Sequence, residues 1–231
     1  MVVAVCYNET STGVRADVEA IGNLLKNYPE TLLVIDAVSN MGGDLLKPDE
    51  WGTDMVFASS QKCFALPPGL AIAIISQAAY DRAKEVPNKG TYTNIEKILE
   101  YYEKKKQTPT TPNISLLYAF DYKLKQMLEE GADAIYNRHK AMADYTHEWA
   151  LKHGFGLFAE EGYRSVTVST VENKLGKDVG ELNKGLALKG FVIADGYGKL
   201  KGQTFRIGHM GDHTLDELKE LLKAIEEIWN L

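Results

Sequence analysis

Apolar and polar positions along the chain follow two periods, and the order in which they alternate predicts the architecture. The segment VVAVCY, Val2 to Tyr7, is apolar and β-prone from its second residue. The polar turn NETSTG follows. From Arg15 to Tyr28 the period becomes helical, with Val18, Ile21, Leu24, Leu25 and Tyr28 on one face. LLVI, Leu32 to Ile35, is then continuously apolar, as a parallel strand buried on both faces should be. Strand, helix and strand at this spacing form a βαβ unit with a right-handed crossover. A third strand is expected over Asp54 to Ala58 and a fourth over Gly69 to Ile75. The Pro-Pro-Gly turn between them is too short for a parallel crossover, so the fourth strand should run antiparallel.

The pattern changes after that sheet. Glu96 to Gln107 is a charged helical stretch, which TPTTP, Thr108 to Pro112, ends because proline cannot continue a helix. A long helix is expected from Ser115 to Glu130 and another from Ala132 to His153. An alternating strand over Arg164 to Thr170, a helix near Asp178 to Leu188, and strands over Phe191 to Ala194 and Thr204 to Met210 follow. The last helix opens on the capping box TLDE, Thr214 to Glu217, with Leu218, Leu221, Leu222, Ile225 and Trp229 on its apolar face. The expected fold is α/β. Residues 1–130 carry a mostly parallel sheet with helices, and residues 131–231 form a smaller α+β domain beginning at Gly131.

Composition narrows the classes without changing this reading. The 231 residues are 45% hydrophobic and 25% charged, ordinary for a globular protein with a real core. A formal net charge of −6 disfavours a nucleic-acid partner, which would call for a basic face. No apolar run approaches the roughly 20 residues that span a bilayer. MVVAVCYNE lacks the basic region and cleavage site of a signal peptide. Two cysteines, Cys6 and Cys63, make no disulfide framework, and a reducing cytoplasm is the expected setting. The five histidines show no metal-ligand spacing, so no metal is expected.

Candidate chemistry comes from position. NETSTG follows the first strand, DAVSNMGG the second and SSQK the third. If those strands are parallel, Thr10, Asp36 and Lys62 meet outside their carboxyl ends, where open α/β sheets bind ligands. Singly each has a plain structural meaning: a turn threonine, a capping aspartate, a solvated lysine. Together they suit one site. An aspartate there can pair with a protonated pyridine nitrogen, and a neutral lysine amine can form an imine with an aldehyde.

At these residues the chain resembles the class V, fold-type I aminotransferases that depend on pyridoxal 5′-phosphate (PLP), in particular alanine–glyoxylate and serine–pyruvate aminotransferases and archaeal aspartate aminotransferase-like members. The matching segments run in family order: NETSTGV (Asn8 to Val14), VIDAVSNMGGD (Val34 to Asp44), SSQKCFALPPGLA (Ser59 to Ala71), KQTPTTP (Lys106 to Pro112), RSVTV (Arg164 to Val168) and FRIGHMG (Phe205 to Gly211). The resemblance implies a partial PLP-transferase large domain followed by the small domain. It implies that Lys62 is the Schiff-base lysine and proton shuttle, and that Asp36 keeps the pyridine nitrogen protonated so that the ring acts as an electron sink. It further implies that Val38 packs under the ring, that Thr10 hydrogen-bonds the cofactor's phenolic oxygen or the ring edge, and that Gln61 lies near the phosphate. Arg206 would bind the substrate α-carboxylate through its planar fork. Gln107 and Thr108, with Thr110 a weaker candidate, would reach the phosphate of a neighbouring subunit, making a homodimer with shared active sites. The implied reaction moves an amino group from a small amino acid such as serine, alanine or aspartate to a 2-oxo acid such as pyruvate or glyoxylate.

The family also carries an N-terminal region with a small-residue phosphate loop and an aromatic ring that stacks on the cofactor. Neither is expected within these residues, so activity of the chain alone is a separate matter from that of its family. Two alternatives stay open. One is a cysteine desulfurase-like PLP enzyme, although Gln61 precedes Lys62 where those enzymes place histidine, and no cysteine follows Cys63. The other is a non-catalytic, partner-binding half of a split enzyme.

Overall fold

Continuously apolar runs form the first sheet of the computed structural model, which describes residues 1–231. Strand β1 (Val2–Cys6) leads into a two-strand ribbon, β2 (Asn8–Glu9) and β3 (Val14–Arg15). Helix α1 (Val18–Leu25) follows, then β4 (Leu32–Asp36), the short α2 (Pro48–Trp51), β5 (Met55–Ser59) and β6 (Ala71–Ile75). The sheet order is β1-β4-β5-β6. β1, β4 and β5 are mutually parallel and β6 is antiparallel to β5, as the Pro-Pro-Gly turn requires. Leu33, Ile35, Val56 and Ala58 are buried and anchor a core that also takes in Tyr7, Val18, Trp51 and Phe64.

Helices α3 (Gln77–Glu85), α4 (Ile95–Lys105) and α5 (Ile114–Glu130) come next. Gly131, at a φ of 87°, separates α5 from α6 (Ala132–Lys152). Strands β7 (Gly156–Leu157) and β8 (Val168–Glu172), helix α7 (Val179–Ala187), strands β9 (Ala194–Asp195) and β10 (Thr204–Gly208), and helix α8 (Leu215–Trp229) complete the chain. The second sheet has the order β7-β8-β10-β9 and is antiparallel throughout. It has its own core, built on Phe155, Val171, Leu182, Phe205, Ile207, Leu222 and Trp229. No helix is long and apolar enough to cross a membrane.

Several elements differ from the sequence expectation for local reasons. α1 is shorter than Arg15 to Tyr28 because Val14 and Arg15 pair with Glu9 and Asn8, and the Asp17 carboxylate then caps the helix on the Ala20 amide. The strand expected from Arg164 begins only at Val168. The Ser165 hydroxyl accepts the amides of Thr167 and Val168 at 3.1 and 3.2 Å, holding that stretch in a turn. At Phe191 to Ala194 the Asn183 amide takes both backbone groups of Ile193 at 2.9 Å, leaving only Ala194–Asp195 to pair with β10.

Candidate active site at the carboxyl edge of the first sheet

The three parallel strands end side by side. Cys6 pairs with Asp36, and Asp36 with Phe57, so β4 is the middle strand and Asp36 its last residue. One Asp36 oxygen accepts the Val38 amide at 3.0 Å, which turns the chain sharply and leaves the other oxygen without a protein partner. Val38 is half-buried just beyond it.

The loops above this edge are tied to one another. Thr10 lies in the turn of the β2–β3 ribbon, and its hydroxyl shares a hydrogen with that of Ser39 at 2.5 Å. The Ser39 carbonyl accepts the Thr167 hydroxyl at 2.6 Å and faces the Cys63 thiol at 3.7 Å. Lys62 therefore sits in a turn whose next residue touches the loop after Asp36. The Lys62 turn is closed by its own hydrogen bonds. Fully buried Ser60 donates its hydroxyl to Pro67 O at 2.8 Å and accepts the Leu70 amide, while its carbonyl accepts the Leu66 amide. Ala65 N donates to Lys62 O, with Ala65 held at a φ of 52°. Lys62 is half-buried, and its ammonium makes no ion pair or hydrogen bond with the protein. Gln61 is exposed beside it.

Arg206 comes to the same place from the second sheet. Phe205 and Ile207 are buried on one face of β10, and Arg206 points from the other, which it shares with Thr204. Its Nη1 donates to Thr10 O at 3.3 Å and its Nε to Asp195 O at 3.2 Å, with the guanidinium carbon 6.0 Å from the Tyr197 ring centre. No carboxylate pairs with it within 4.0 Å, so a half-buried cation has only carbonyl partners and keeps donors free. The Glu9 carboxyl is close enough to feel it. Glu9 is held below its ordinary value first by the Ser11 amide, and Arg206 adds to the effect.

Gln107 and Thr108 do not join this group. Both are exposed, and the Thr108 hydroxyl donates to Thr110 O at 2.7 Å. With Ile98, Tyr102 and Pro112 they line an open depression of about 890 Å³. Within one chain no hydrogen bond or ion pair links them to Lys62, Asp36 or Arg206.

Three contributors escape a reading of the sequence. Ser39 lies inside the motif that holds Asp36, which was the available signal. Tyr197 has no sequence signal at all. The Ser59 hydroxyl, at the end of β5, is buried without a partner. Cys63 is 3% exposed, and burial pushes its thiol up to about 12, which makes it a packing residue and not a nucleophile.

Comparison with known proteins gives the family. Residues 1–182 match the model of the aminotransferase class-V family. An uncharacterized aminotransferase of Methanocaldococcus jannaschii is 39% identical over 97% of this chain and 58% of its own length. A serine–glyoxylate aminotransferase of Methylorubrum extorquens is 33% identical over 96% of this chain and 56% of its own. The crystal structure of an alanine–glyoxylate aminotransferase from Nostoc sp. superposes with a TM-score of 0.91 at 28% identity, over 99% of this chain and 61% of that one. The chain thus spans less than two thirds of the length of the relatives it matches. Its fold is that of the fold-type I PLP transferases, and it belongs to the class-V aminotransferase family.

Proposed function

We propose that this chain carries the lysine-bearing part of a PLP-dependent aminotransferase. In this reading it moves an amino group from serine, alanine or aspartate to pyruvate or glyoxylate. The supporting observation is the meeting at one sheet edge of an unpaired lysine (Lys62), a carboxylate with a free oxygen (Asp36) and an arginine without a carboxylate partner (Arg206). Residues 1–130 would be the cofactor-binding part and residues 131–231 the small domain, and the separate cores on either side of Gly131 favour that division.

The donor set fits PLP. Asp36 offers an acceptor for a pyridine N–H, and a carboxylate there keeps the proton on the ring nitrogen. Val38 offers methyl groups under a ring, Thr10 a hydroxyl at its edge, and Gln61 an amide toward the phosphate. The unpartnered buried Ser59 hydroxyl is a further polar group at the same strand end. When bound, PLP supplies an aldehyde that receives the amine and a ring that accepts electrons from the substrate Cα. Lys62 would hold the cofactor through its amine, and its Nζ would be the group that carries the proton to and from the substrate Cα. Arg206 orients the substrate by gripping its carboxylate with the donors that Thr10 and Asp195 leave free. Gln107 and Thr108 would serve the second site of a homodimer, consistent with their separation from Lys62 here. A reducing cytoplasm suits free Cys6 and Cys63.

A desulfurase has less behind it, since the buried Cys63 thiol is held protonated and no cysteine follows it.

Addition of PLP should produce a near-visible absorption band that Lys62→Ala abolishes, and an amino-donor and oxo-acid screen should find activity that the same substitution removes. A Lys62→Ala protein that transaminates as well as the unaltered one sinks the reading.

A further inference from the structure

Beside the Lys62 turn the segments of Cys63, Thr167 and His139 converge, next to a cavity of about 160 Å³ lined in part by Cys63, Ile135, Arg138 and Gly211. Gly43 lies between them. A β-carbon there would stand 2.9 Å from Cys63 Sγ, 2.9 Å from Thr167 Cγ2 and 3.0 Å from His139 Cδ2. His139, on α6, is fully buried. Its Nδ1 lies 2.8 Å from Ile135 O, and the Gly211 amide donates to its Nε2 at 3.1 Å. A carbonyl can only accept and an amide N–H can only donate, so the ring must be neutral with its proton on Nδ1. Burial favours that state and keeps the ring below the ordinary histidine value.

Gly211 is more than a partner for this ring. It follows β10 at a φ of 77°, and a β-carbon on it would lie 3.0 Å from Ala65 Cβ and 3.5 Å from Lys62 O. Its backbone therefore packs directly on the turn that carries Lys62. The loop is also held from outside. Arg138 donates to Gly211 O and His213 O, and Lys123 donates to both oxygens of Asp212.

We infer that His139 is a positioning residue for Lys62: as a neutral Nδ1–H imidazole it fixes Gly211, and Gly211 in turn fixes the backbone of the Lys62–Ala65 turn. The inference rests on the reading of Lys62 given above. The hydrogen-bond partners of His139 are Ile135 O and Gly211 N, and no hydrogen bond joins it to Lys62. It acts by removing freedom from the turn, so that the Lys62 amine is presented in one direction. A carbonyl at the same place does the same work, and an apolar side chain leaves the Gly211 N–H buried without an acceptor.

Hydrogen exchange on the protein without cofactor tests the coupling. His139→Leu should raise exchange about tenfold in residues 209–213 and in residues 60–66, and His139→Gln, which keeps an acceptor, should restore both. Exchange that rises only in 209–213, or rises everywhere equally in both variants, overturns the inference. If His139→Leu does not fold, Gly211→Ala replaces it, and unchanged exchange in 60–66 of that variant also overturns it. Borohydride trapping of PLP on Lys62 supplies the second readout. The initial labelling rate should fall about tenfold in His139→Leu and recover in His139→Gln, and an unchanged rate removes any role in presenting the amine. No label on the unaltered protein would defeat the reading of Lys62 itself, while the exchange result decides the mechanical coupling separately.

Discussion

Two more imidazoles sit near His139, and their surroundings make an acid-sensitive spot. His209 is 1% exposed, with Nε2 at 2.9 Å from the Ser169 hydroxyl, and burial pushes it down to about 3, with smaller contributions from His147 and His139. His147 is brought down to about 4, first by burial and then by Arg164. In both, the folded value lies below the unfolded one, so between pH about 6.5 and about 3 to 4 the unfolded chain holds more protons. Stability should therefore rise with pH across that window and be lost as pH falls through it. A tenfold change in proton affinity corresponds to about 1.4 kcal/mol, so the two rings together weigh heavily in a marginally stable fold. Urea unfolding between pH 7 and pH 4 checks this. His209→Gln should flatten the slope, and an unaltered slope would count against His209 as its source.

Among the elements, α8 shows how far local chemistry was legible. Its capping box is present, with the Glu217 amide donating to the Thr214 hydroxyl and Thr214 N donating back to the Glu217 carboxylate. The stripe Leu218, Leu221, Leu222, Ile225 and Trp229 is buried as the period requires. Thr214→Ala should cost about 1 kcal/mol, read as a lower thermal midpoint, and Trp229→Ala about 3–5 kcal/mol because it empties a site against Phe155 and Phe205. The order should invert only if the cap holds more than the helix end. Parallel β4 was legible as a strand from its unbroken apolar run, but the expectation that both faces are buried fails: Leu33 and Ile35 are buried, whereas Leu32 and Val34 on the other face are only half-buried. α3 was not legible, because none of its residues is buried and no stripe marks it. The start of β8 was hidden because Ser165 and Thr167 look like the polar face of a strand while their hydroxyls bond elsewhere.

At the scale of the molecule, polar contacts hold the two cores together. Lys123 on α5 is 8% exposed at its side chain and grips Asp212 after β10 at 2.6 Å. Asp212→Ala leaves that ammonium buried and unpaired and should cost about 1–3 kcal/mol in urea unfolding. Lys123→Met should cost less, because it removes the charge that needs a partner. Equal losses would mean that packing of the lysine stem, not the ion pair, is what matters. The meeting of Thr10, Asp36 and Lys62 could be read from the strand order alone. The arrival of Arg206 could not, because no period or spacing within β10 says which distant loop its side chain will reach. Family resemblance supplied that expectation, and the bond from Arg206 to Thr10 O supplies its geometry.

The ribbon that carries Thr10 has a consequence for the order of events during synthesis. Its second strand is held by the far half of the chain, since Arg15 N donates to Tyr163 O and Ser165 N to Gly13 O, and Arg206 reaches Thr10 across 196 residues of sequence. Such distant pairings close late, after the local helices and the first βαβ unit. On the ribosome the first sheet can assemble early, but the turn bearing Thr10 must wait, untethered, until the segments around Ser165 and Arg206 have emerged. Translation speed through the last third of the message then sets how long the unfinished edge is exposed to wrong partners.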